Sequence, residues 1–173
     1  EVSNLVAVVD TDESQGRKVA ERFGVDWYSD YHEILDKVDA VTISVPTSFH
    51  REVAEVFCLA GVNLLIEKPL AGNSSDAKAI VGASEKAGIK LAVGHIERHN
   101  PVVTYAKKAI MNNEWGKIIT LSSRRVSSFP ARIRDVGVLF DLSLHDIDIC
   151  NYLANSQINS MIPKKKPQLE SLP

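Results

Sequence analysis

Glu67-Lys68-Pro69 follows directly on the apolar run Val62 to Ile66. Short β-branched runs bounded by turn residues read as buried strands. The lysine therefore falls at a strand's carboxyl end, where parallel sheets bind their ligands. There Lys68 can hold a hydroxyl for proton loss or stabilise an alkoxide. A plain surface Glu-Lys pair is the other reading, and the Lys68-Pro69 bond is a candidate for cis. Far downstream, Asp141 and His145 are four residues apart and share a face if the segment is helical. A carboxylate beside an imidazole orients it and raises its basicity. That suits a general base taking a hydroxyl proton while hydride leaves the same carbon. Asp148 follows on that face, so an acidic exposed helix and a metal site of Asp141, His145 and Asp148 are the competing readings; no metal is expected.

Other polar groups gather at similar points. Asp10 ends the apolar run Leu5 to Val9 and precedes a helix signal. An acidic side chain there accepts hydrogen bonds from the adenosine ribose of a dinucleotide. It also repels the extra phosphate of NADP, so NAD is expected before NADP; an ordinary turn residue is the alternative. Val45-Pro46-Thr47-Ser48-Phe49-His50 follows another strand, and its hydroxyls either meet a ligand or cap the next helix. Gly94-His95-Ile96-Glu97-Arg98-His99-Asn100-Pro101 follows a further one. Arg98 offers a bidentate fork for an anion. His95 and His99 precede the helix that Asn100-Pro101 starts, which makes them a poor zinc pair.

The elements that must position these groups alternate. Strands are predicted over Leu5 to Val9, Ala40 to Val45, Val62 to Ile66 and Ile89 to Val93. Helices are predicted over Glu13 to Phe23, Thr47 or Ser48 to Ala60, and Asn73 or Ser74 to Gly88, with a short one from Asp30 to Leu35. Asp12 and Asn73 are N-cap types, and Gly24, Gly61 and Gly88 suit left-handed C-terminal positions. Such spacing implies βαβ crossovers and a parallel sheet with helices on both faces. Beyond Val93 the pattern changes to a helix from Pro101 to about Asn112, a partly alternating strand from Lys117 to Val126, and a helix from Val138 to Leu153. The expected domains are 1–96, dinucleotide-binding, and 97–173, part of a substrate-binding and oligomerisation domain with an open antiparallel sheet. The fold class is α/β of Rossmann type, its first strand and glycine turn missing, since none of the nine glycines forms a G-x-G-x-x-G set.

A net charge of −2 gives no reason to expect nucleic acid or an anionic membrane as partner. Two cysteines make no disulfide framework, so a cytoplasmic home is expected. No apolar run reaches the roughly 18 residues of a membrane span.

Taken together, Asp10, Pro46-Thr47…His50, Glu67-Lys68-Pro69, Gly94-His95…Arg98…Asn100-Pro101 and Asp141…His145 resemble the glucose–fructose oxidoreductase/inositol dehydrogenase (Gfo/Idh/MocA) family in order and separation. The resemblance implies an NAD-dependent dehydrogenase. Lys68 would polarise the substrate hydroxyl, His145 would shuttle the proton and Asp141 would orient the site. It places Asp10, Pro46, Thr47, His50, Glu67 and Lys68 at the cofactor, and His95, Arg98, Asn100 and Arg132 at the substrate. The Arg-rich stretch Arg124 to Val138 looks most like members acting on nucleotide sugars such as UDP-N-acetylglucosamine. A polyol (inositol-type) dehydrogenase and a non-catalytic binding relative are the alternatives, and a homo-oligomer, dimer or tetramer, is expected. Family members run well over a hundred residues past the Asp-x-x-x-His helix, so the chain is read either as pieces of a longer protein or as a truncated product.

Overall fold

The computed structural model describes residues 3–124, 143–156, 158–160 and 162. Five parallel strands form two pieces of sheet. β1 (Ala7–Val9) pairs with β2 (Asp26–Tyr28), and β3 (Ala40–Ile43) pairs with β4 (Asn63–Ile66), which pairs with β5 (Leu91–Val93). Among the described residues, β1 and β3 are each paired on one edge only. β2 was not predicted: three residues show too little alternation to stand out, and Trp27 and Tyr28 are only half buried. The backbone ladder runs past the strand ends, through Asp10 N–H to the Tyr28 carbonyl, Glu67 N–H to Ile43 and Gly94 N–H to Ile66.

The helices form where their caps stand. In α1 (Glu13–Phe23) Asp12 accepts from Gln15 N–H, and Gly24 closes the helix at φ 66°. In α3 (Ser74–Ala87) Asn73 accepts from Asp76 N–H, and Gly88 closes it at φ 68°. The segment before α2 (His50–Leu59) departs from expectation. Thr47–Phe49 is a 3₁₀ turn with Pro46 in the cap position and no side-chain cap bond, so neither Thr47 nor Ser48 caps the helix. Tyr31–Ile34 is likewise 3₁₀ rather than α, with Asp30 accepting from His32 N–H.

The core sits where α2 meets β3 and β4. Phe57, Ile66, Ile80 and Ala54 are sealed from water, with Ala7 and Val9 packed against their cluster. Each large side chain so buried contributes roughly 1.5–3 kcal/mol. β4 alternates: Leu64 and Ile66 are buried and Leu65 is exposed. Helices on both faces were expected. Among the described residues the face of Thr42, Leu65 and Ala92 stays exposed, and α1 packs on β1 and β2.

The chain divides into two compact units between Gly94 and His95. The second holds α4 (Pro101–Met111) and α5 (Leu144–Ala154), packed on each other and on a 3₁₀ turn, Ile96–His99. The strand expected at Lys117 to Val126 is not formed over its described part, 117–124. A strand needs a paired neighbour to satisfy its backbone, and no described segment supplies one. The first part of the helix expected from Val138, before Ser143, lies outside the described residues.

Candidate functional site

In the first unit the carboxyl ends of the strands carry several of the expected residues. Asp10 caps the end of β1, and its Oδ1 accepts from Asp12 N–H at 2.9 Å. The Trp27 indole N–H donates to the Asp10 carbonyl at 3.1 Å. A Cβ on Gly16 would lie 2.1 Å from that indole nitrogen, so the glycine leaves room for the ring that braces Asp10. Neither Trp27 nor Gly16 stood out beforehand, because the contact joins a helix to a strand residue that the pattern did not reveal.

Pro46 and Thr47 open the turn after β3, Pro46 exposed and Thr47 half-buried. Glu67 and Lys68 follow β4, both half-buried, and the Lys68-Pro69 bond is cis. The Glu67 carboxylate folds back: it accepts from Lys68 N–H at 3.2 Å and packs on Gly94, where a Cβ would come within 3.1 Å of it. This cradle exists because residue 94 has no side chain.

His50, expected at the cofactor, is 1% exposed and lies inside the unit. Nε2 sits 3.0 Å from the Val45 carbonyl and Nδ1 3.2 Å from the Leu70 carbonyl. Carbonyl oxygens only accept, so a neutral ring donates to one of the two. The imidazole ties the loop that carries Thr47 to the loop that carries Lys68. It is buried because α2 begins at His50 and turns that side chain into the core.

In the second unit, His95, Arg98, His145 and Asp148 gather. Arg98 Nε donates to Asp148 Oδ2 at 2.8 Å, and its terminal amino group donates to Oδ1. Arg98 was expected to grip a substrate anion; here its fork is taken by Asp148, a carboxylate whose side chain is 9% exposed. The pairing also raises the guanidinium's pKa. Fifty residues separate the two in sequence, and no local pattern signals the pair. His95 Nδ1 lies 3.6 Å from Asp148 Oδ2 and is shielded from water, with no hydrogen-bond partner among the described residues. Burial holds the His95 pKa below its ordinary value despite Asp148, and Arg98 and His145 push it the same way as burial.

Asn100 was expected at the substrate. Its Oδ1 accepts from Val102 N–H at 3.0 Å, the N-cap bond of α4. That bond satisfies an orphan donor of the helix start, and the amide Nδ2 donates to Glu97 Oε2 at 3.4 Å. His145 sits half-buried in the first turn of α5. Asp141 and Arg132 lie outside the described residues. Among the described residues, no group of three His, Cys, Asp or Glu side chains could hold a metal ion, and no helix is long and apolar enough to cross a membrane.

Residues 1–95 match the model of an oxidoreductase family described as an NAD-binding Rossmann fold. UDP-N-acetylglucosamine 3-dehydrogenase of Acidithiobacillus ferrooxidans is 34% identical over 156 residues, covering 90% of this chain and 49% of that protein. A probable dehydrogenase from Thermotoga maritima superimposes with a TM-score of 0.84 at 29% identity, over 91% of this chain and 50% of its own. The WlbA dehydrogenase of Bordetella pertussis, solved in complex with NADH and UDP-GlcNAcA, superimposes at 0.73 with 26% identity, over 87% of this chain and 47% of its own. The chain thus spans about half the length of the relatives it matches. With its parallel strands and a family match over more than half its length, the chain belongs to the Gfo/Idh/MocA oxidoreductase family.

Proposed function

We propose that this chain is the NAD-binding portion, with the beginning of the substrate domain, of a dehydrogenase that moves a hydride between nicotinamide and a hydroxyl of a nucleotide sugar. The observation that carries it is Lys68 at the carboxyl end of β4, within a unit whose residues match an NAD-binding Rossmann fold. The residues at these strand ends fit a dinucleotide chemically. Asp10 offers a carboxylate to a ribose diol. Pro46 and Thr47 follow the end of β3, and the Glu67 cradle on Gly94 keeps a carboxylate between β4 and β5. When bound, NAD accepts or returns the hydride.

The chain's own residues handle the proton. Lys68 holds the substrate hydroxyl and favours its alkoxide by charge. His145 takes the hydroxyl proton as general base, with Asp141 orienting the site. The nucleotide-sugar class rests on the likeness to the Acidithiobacillus and Bordetella enzymes, whose names and ligands carry UDP-sugars. Arg132 is the candidate for the pyrophosphate, by its bidentate geometry.

Steady-state turnover of UDP-N-acetylglucosamine with NAD, followed by NADH absorbance, tests the reading. Lys68→Ala and His145→Ala should each lower kcat by about 10²–10⁴-fold. NADH affinity, read by fluorescence titration, should stay near wild type for His145→Ala. If either variant turns over as the parent does, the assigned role is wrong. If NADH shows no saturable binding, the chain is a non-catalytic relative.

A further inference from the structure

We infer that Arg98 and Asp148 are positioning residues: their ion pair seats the helix that bears His145 on the turn that follows β5. The inference rests on the proposed role of His145. Asp148 points inward from α5, and a carboxylate so buried is costly unless its oxygens are paired. Arg98 pairs both, from a 3₁₀ turn that shares the second unit with α5. Two parallel bonds from a planar fork fix orientation as well as distance. His145 and Asp148 are three residues apart on one helix, so they share a face. The rotation that Arg98 imposes on Asp148 is therefore imposed on His145.

The rest of α5 is held nearby and on the far side. Lys107 of α4 donates to the Tyr152 carbonyl at 2.6 Å and lies 4.9 Å over that ring, with Arg98 at 5.4 Å over the same ring. At the near end, Ser143 makes no side-chain cap bond among the described residues. The hold one turn along, at Asp148, thus bears on the aim of His145. An Arg98 that left Asp148 to grip a substrate anion would strand a buried carboxylate, which argues against a switch of its fork from Asp148 to substrate.

The test compares Arg98→Lys, Asp148→Asn and His145→Ala in the full-length protein, with NAD and UDP-N-acetylglucosamine. Arg98→Lys keeps the charge and loses the fork; Asp148→Asn keeps the shape and loses the charge. Each should lower kcat by up to roughly 100-fold, the effect of a misplacement near 1 Å. NADH affinity should stay within about twofold, since neither residue belongs to the NAD-binding unit, and so should KM for the sugar, since a residue that only positions His145 makes no substrate contact. A rise in sugar KM at unchanged kcat for Arg98→Lys would make Arg98 a substrate ligand and overturn the inference. So would parental kcat in Arg98→Lys, which carries the test alone if Asp148→Asn does not fold. Those outcomes, with an inactive His145→Ala, leave the proposed function standing. An active His145→Ala, or a parent protein without turnover, removes both.

Discussion

Burial and charge pull His95 in opposite directions. Asp148, 3.6 Å away, favours the imidazolium, while the loss of water around the ring disfavours it, and Arg98 and His145 add to that side. Burial prevails, because the carboxylate's charge is already matched by Arg98. The folded pKa is thus below 6.5, the ordinary value. Between the two values the unfolded chain binds more protons than the folded one, so stability rises with pH across that window and is lost as pH falls through it. Denaturant midpoints stepped from neutral pH down past 6.5 should fall, and His95→Gln should flatten that slope. An unchanged slope would show that the ring is not desolvated. His50 teaches a related lesson at this scale: between the Val45 and Leu70 carbonyls, a histidine that resembles a ligand by sequence works as a tie between loops.

At the scale of elements, caps and strand ends decide what each side chain can do. Asn73 accepts from Asp76 N–H at 2.9 Å, donates to the Asp76 carboxylate at 2.6 Å and starts α3. Asn73→Ala should cost about 1 kcal/mol by thermal or denaturant unfolding, and Asn73→Ser much less, since serine also caps. Equal losses in both would mean that the cap bond contributes little. Most helix bounds were legible in the sequence, because cap residues and left-handed glycines act within a few positions. The 3₁₀ turn at Thr47–Phe49 was not, since Pro46 takes the cap position and the helix starts only at His50. β2 was too short to see, and the stretch expected as a strand from Lys117 has no described partner to pair with.

At the scale of the molecule, the first unit has one packed core built on β3, β4 and α2. Phe57, 1% exposed, lies at its centre. Phe57→Ala should lower stability by about 3–5 kcal/mol, read as a drop in Tm, because the cavity adds to the lost transfer energy. A loss below about 1 kcal/mol would mean that the core collapses around the gap or is looser than described.

The sequence by itself determined the alternation of strands and helices, the placing of Asp10, Thr47 and Lys68 at strand ends, and the family likeness. Those signals are local: hydrophobic period, cap chemistry and short motifs at fixed separations. Only the tertiary structure decided that His50 is buried, that Arg98 spends its fork on Asp148 and that Glu67 rests on Gly94. Each of these depends on which distant residue fills the space beside a side chain, and burial with pairing is a property of the packed chain that no spacing along it contains.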